Sequence, residues 1–84
     1  MNAQVKEEKY IMEQYEDLLH HCKQCMDKSQ QDLIERAFNT AYRLHEGIYR
    51  NSGEPYIVHP LAVAKIVNQE IGLGPDAISC ALLH

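Results

Sequence analysis

Apolar residues recur at three- and four-residue steps along most of the chain, a spacing that predicts four helices and no sheet. The first is predicted from about Val5 to Met26, where Ile11, Tyr15, Leu18, Cys22 and Cys25 form one stripe and Glu, Lys and Gln fill the other face. Beyond a break near Asp27 and Lys28, Ser29 stands three positions before Asp32, the pattern of a capping box that opens a second helix. Leu33, Ala37, Phe38, Ala41 and Leu44 would give that helix its buried face, and it should close between His45 and Gly47.

The pattern then changes. Asn51, Ser52 and Gly53 are turn chemistry, and Glu54 is pushed out of the helical region by Pro55, so residues 48 to 58 are predicted to be an ordered loop. A third helix starts at His59 and Pro60, with proline in the first turn where its missing N–H costs nothing, and runs to about Glu70. Gly72 and Gly74 end it, and Pro75 and Asp76 open a fourth helix with Ile78, Ala81 and Leu82 facing inward. That pattern is still running at His84, with no cap and no polar tail, so residues 1 to 84 are expected to be the incomplete N-terminal portion of a larger helical domain. The alternative is a small complete four-helix protein.

Size agrees with the first expectation, because a chain of 84 residues buries only about 60 to 65% of its unfolded surface. A formal charge of −4 with eight scattered basic residues leaves no electrostatic footprint for a nucleic-acid backbone. Charged residues through positions 1 to 20 exclude the apolar core of a signal peptide, and no run approaches a membrane span, so a cytoplasmic protein is expected. Three cysteines, Cys22, Cys25 and Cys80, in a chain without export features are expected to be reduced thiols.

Two histidines stand out for chemistry. His59 and His84 each sit at a helix boundary or on a largely apolar face, although taken singly such histidines are more often structural than metal ligands. Cys22 and Cys25, with His20 and His21 beside them, have zinc-donor chemistry but no second ligand pair at zinc-finger spacing, and free core thiols explain them better. Tyr49 and Tyr56 read as core or rim aromatics with no assigned role.

The strings around the histidines carry more. AYRLHEGIYRNSGEPYIVHPLAVAKIV, residues 41 to 67, followed by DAISCALLH, residues 76 to 84, resembles the start of the histidine–aspartate hydrolase domain of the RelA/SpoT alarmone enzymes. The resemblance spans roughly the last 50 residues. Residues 1 to about 28 carry no motif and are only consistent with the family's leading helices.

The resemblance implies an all-α fold of about four helices, the N-terminal portion of an HD-type phosphohydrolase. It also implies a manganese-dependent enzyme that removes the 3′-pyrophosphate from guanosine tetra- and pentaphosphate, often joined to a synthetase that moves pyrophosphate from ATP to GDP or GTP. His59 falls on the family's first metal histidine and His84 on the histidine of its histidine–aspartate pair. The carboxylate ligands and the water-handling acids fall beyond His84, so no catalytic residue is assigned within these 84 residues, which alone are expected to be inactive and to hold Mn²⁺ only weakly. Arg50 matches an arginine that packs on the guanine ring, and Ser52 beside it reads equally as a hydrogen-bond partner of the nucleotide or as simple turn chemistry before Gly53. Asn51 stands where many members have lysine, which removes a positive charge from the pocket. Gly53 and Pro55 are read as shaping the loop that delivers His59.

The competing reading is a helical regulatory or interaction module that keeps the fold and handles no nucleotide. A further expectation is self-association through Leu61, Val63, Ala64, Val67, Ile78, Ala81 and Leu82, apolar positions judged too numerous for a small unit to hide.

Overall fold

The computed structural model of the chain describes residues 3–22, 25 and 27–83. These form four helices, α1 Ala3–His21, α2 Lys28–Leu44, α3 Val58–Gln69 and α4 Pro75–Leu83. Among the described residues there is no strand, only one isolated antiparallel bridge between Tyr49 and Pro55.

The predicted stripe of α1 is the buried one, with Ile11, Tyr15 and Leu18 at 7% exposure or less. The helix is shorter than its periodicity suggests, because the chain leaves it after His21 in a turn where the Cys22 N–H donates to the Leu19 carbonyl at 3.3 Å. Met26, the predicted end, lies outside the described residues. Cys22 and Cys25 are both buried and are joined by a disulfide, not held as separate thiols, while Cys80 is free and exposed. Outside a continuous helix the two side chains turn toward the same core, which is what lets the sulfurs meet.

The start of α2 differs from the expected capping box. Asp27 is the N-cap, its carboxylate accepting the Ser29 N–H at 2.9 Å and the Ser29 hydroxyl at 3.0 Å. The Ser29 N–H holds that carboxyl below its usual range. Asp32 instead pairs with Lys28 along the helix surface at 3.5 Å. Ile34, not Leu33, is the fully buried residue of the first turns, and Leu44 is exposed where the helix runs past its neighbours.

α2 and α3 both pack on α4, while α1 lies along α3 and reaches α2 through the Tyr15 ring, stacked on Phe38 at 4.1 Å and 14°. Lys65 of α3 clasps α1, bonding the Gln14 side chain at 2.6 Å and the Asp17 carboxylate at 3.0 Å, which draws the Asp17 pKa down. The end of α3 is closed by two nested backbone bonds: the Leu73 N–H donates to the Val67 carbonyl and the Gly72 N–H to the Asn68 carbonyl, both at 3.0 Å. Gly72 takes the left-handed φ of 85° that this closure needs. Asn68, buried at 6% exposure, adds a side-chain bond to the Leu73 carbonyl at 2.8 Å and one to the Cys22 sulfur at 3.5 Å.

The apolar surplus expected on α3 and α4 is largely accommodated. Leu61, Ala64, Ile78 and Leu82 are buried among these four helices, Val67 and Ala81 are half-buried, and Val63 is exposed. No helix among the described residues is long and apolar enough to cross a membrane.

Candidate functional site

The predicted loop between α2 and α3 is a tight hairpin, not a wide excursion. The Arg50 N–H donates to the Glu54 carbonyl at 2.9 Å, the Gly53 N–H to the Arg50 carbonyl at 2.8 Å and the Tyr56 N–H to the Ile48 carbonyl at 2.9 Å. Gly53, at φ 94°, supplies the left-handed residue that the turn requires. Pro55 sits in the bridge with Tyr49, so both Gly53 and Pro55 shape the loop as the sequence implies.

This hairpin folds the end of α2 back beside the start of α3. His59 occupies the first turn of α3, exposed, with its N–H donating to the Tyr56 carbonyl at 2.9 Å. Its ring lies edge-on to Tyr56, 5.9 Å between centroids, and the Tyr56 ring also packs against His45, the C-cap of α2, at 4.6 Å. The three rings line a cleft of about 340 Å³ together with Pro60, Val63 and Ala81.

The other assigned residues are distributed differently. Arg50 and Ser52 lie in the exposed hairpin and are not among the residues that line the His59 cleft. The Arg50 guanidinium is paired with the Glu54 carboxylate at 3.3 Å, both side chains being substantially solvated. His84 lies outside the described residues; Ala81, three positions before it in sequence, lines the cleft.

A larger cleft of about 460 Å³ lies on the other side of His45, walled by Glu7, Glu8, Glu46 and Tyr49, with the Tyr49 hydroxyl donating to Glu7 at 3.0 Å. That bond and the nearby carboxylate raise the Tyr49 pKa. Three carboxylates make this cleft repel a polyphosphate, so the smaller histidine cleft is the better candidate for phosphate chemistry despite its size.

An imidazole nitrogen is a donor that Mn²⁺ accepts, and His59 presents one in a cleft open to solvent, so the residue fits a metal-binding role. Among the described residues no group of three or more His, Cys, Asp or Glu is gathered to hold an ion, so His59 fits as one donor of a larger set. The cysteine pair is engaged in its disulfide, which removes the thiolates a zinc site there would need. His45 and Tyr56 were not legible as site residues in the sequence. The signal that could have found them is the hairpin itself, since a tight turn between two helices places the last residue of one beside the first of the next.

The arrangement is an all-helical unit that presents a loop-delivered histidine in an aromatic cleft. No family model and no solved structure matches the chain. Similarity to characterised proteins is clear. The chain is 51% identical over 51 residues to a GTP pyrophosphokinase of Streptomyces coelicolor, covering 61% of this chain and 6% of that protein. It is 42% identical over 57 residues to the bifunctional (p)ppGpp synthase/hydrolase RelA of Mycobacterium tuberculosis, covering 68% and 8%. It is 35% identical over 75 residues to the guanosine-3′,5′-bis(diphosphate) 3′-pyrophosphohydrolase of Vibrio cholerae, covering 89% and 10%. These similarities support a RelA/SpoT-family relationship for the stretch they cover. It spans a tenth or less of the length of these relatives.

Proposed function

We propose that this chain is the opening segment of a guanosine tetra- and pentaphosphate 3′-pyrophosphohydrolase domain, within a protein that also carries GTP pyrophosphokinase activity in the stringent response. The observation that carries the reading is the SGEPYIVHP hairpin delivering His59, exposed, into a cleft at the start of α3. His59 and His84 would be the two imidazole donors to Mn²⁺; Ala81, three positions before His84 in sequence, lines the cleft into which His59 is delivered. When bound there, Mn²⁺ would supply the acidity that turns a water into a nucleophile for phosphorus.

This chain's residues bind and orient. Arg50 stacks its guanidinium on the guanine ring and Ser52 donates its hydroxyl to the nucleotide, both from a hairpin that the Glu54 and Gly53 backbone contacts hold rigid. Arg50 must leave Glu54 to do so, at a cost of about 0 to 1 kcal/mol for so exposed a pair. The carboxylate ligands and the acids that move the proton come from residues other than these, so the 84 residues alone turn over no substrate and bind Mn²⁺ weakly.

The test is release of pyrophosphate from guanosine tetraphosphate by a complete family protein carrying this segment. Activity should require Mn²⁺ and fall by at least about 10³-fold in His59→Ala, as loss of a metal ligand demands. An unimpaired His59→Ala enzyme would sink the assignment. Absence of hydrolysis by the wild-type protein, with the fold intact, would favour the non-catalytic helical module.

A further inference from the structure

We propose that His45 is a positioning residue for His59, acting through the ring of Tyr56. Its consequence for metal binding rests on the reading of His59 given above, whereas the positioning itself does not.

The three rings are mounted on one run of backbone hydrogen bonds across the hairpin. The His45 N–H donates to the Ala41 carbonyl and the Ile48 N–H to the His45 carbonyl, both at 3.0 Å. The Tyr56 N–H then donates to the Ile48 carbonyl and the His59 N–H to the Tyr56 carbonyl, both at 2.9 Å. The rings follow the same order, His45 to Tyr56 at 4.6 Å and 43°, Tyr56 to His59 at 5.9 Å and 61°. The end of α2 is thereby coupled to the side chain that opens α3.

An exposed imidazole left to itself samples several rotamers, and a metal donor must present one nitrogen in one direction. Ligand histidines are usually oriented by a hydrogen bond to the second ring nitrogen. Among the described residues, the remaining lining of this cleft is Pro60, Val63 and Ala81, none of which has a polar side chain to offer such a bond. Ring packing is the orienting device that the cleft does provide: Tyr56 confines His59, and His45 keeps Tyr56 from turning away. His45 also lines the acidic cleft, so it is common to both.

The experiment uses the 84-residue chain, labelled for side-chain NMR, as wild type, His45→Ala and His45→Phe. Without metal, wild type and His45→Phe should show contacts between the Tyr56 and His59 ring protons and a single His59 rotamer, and His45→Ala should lose both. In a Mn²⁺ titration followed by broadening of the His59 ring signals, His45→Ala should weaken apparent affinity about tenfold or more, while His45→Phe stays within about threefold. Unchanged shifts for Leu18, Ile34 and Leu61 certify the fold. His45→Ala with wild-type ring contacts and rotamer overturns the proposal, as does His45→Phe behaving like His45→Ala in an intact fold. Absence of Mn²⁺ broadening in wild type would overturn the metal reading alone, because the metal-free comparison still decides whether His45 positions His59.

Discussion

Truncating Phe38 to alanine should cost the chain a large share of its stability. Phe38 is 3% exposed, stacked on Tyr15 of α1 at 4.1 Å and tilted against Tyr42 at 5.9 Å. Loss of a buried phenylalanine costs about 3 to 5 kcal/mol, of which the ring stack accounts for about 0.5 to 1.5. A chain of this size is stable by about 4 to 12 kcal/mol, so Phe38→Ala removes from about a quarter of that stability to all of it. Phe38→Leu keeps most of the volume and loses the stack, and should cost about 1 to 2 kcal/mol. Urea unfolding followed by far-ultraviolet circular dichroism measures both, and a double-mutant cycle with Tyr15→Leu isolates the stack at about 0.5 to 1.5 kcal/mol. The cycle matters because α1 carries no family motif, and Tyr15 is the ring by which it grips the motif-bearing helices. Zero coupling, together with a Phe38→Ala cost below about 1 kcal/mol, would refute the docking of α1 described above.

Burial, with a lesser contribution from Glu35, pushes the Tyr15 phenol up to about 12 from its ordinary 10.0. The folded state thus favours the neutral phenol, so its contribution is complete below about pH 10 and is lost as pH rises toward 12, a span worth on the order of 2 to 3 kcal/mol. Alkaline unfolding monitored by tyrosinate absorbance should show this step, and Tyr15→Phe should abolish it; a step retained in that variant assigns it elsewhere. Thiol titration of the native chain should find Cys80 alone reactive before reduction, with Cys22 and Cys25 appearing only afterward; three immediately reactive thiols would contradict the disulfide. Sedimentation at micromolar concentration tests the expected self-association, for which Val63 stays exposed while Leu61, Ala64, Ile78 and Leu82 are buried within the four helices; a stable monomer would remove that expectation.

The helices were legible because burial imposes a 3.6-residue period, and Ile11, Tyr15 and Leu18 keep it without interruption. Where the reading missed, the competing choices differ by only a residue or two. Asp27 and Ser29 are both competent caps, and composition does not say whose oxygen meets an open N–H. Leu33 and Ile34 are about 100° apart on the helix, and only the position of the neighbours decides which is covered. His59 could be found because its motif is contiguous. His45 could not, since its partnership with Tyr56 exists only after the hairpin closes. The Arg50 to Glu54 pair is likewise a product of that turn. The cysteine pairing depends on where α1 stops, which the continuing apolar stripe conceals.

The most direct test of the central claim is to ask which histidine of the chain meets Mn²⁺ first. Side-chain NMR during a Mn²⁺ titration of the metal-free chain resolves His20, His21, His45, His59 and His84 by their ring signals. The account predicts that His59 and His84 broaden together at the lowest metal concentrations, ahead of the exposed His21 beside Asp17. Broadening that begins at His20 and His21, with His59 unaffected until all histidines respond alike, would contradict it.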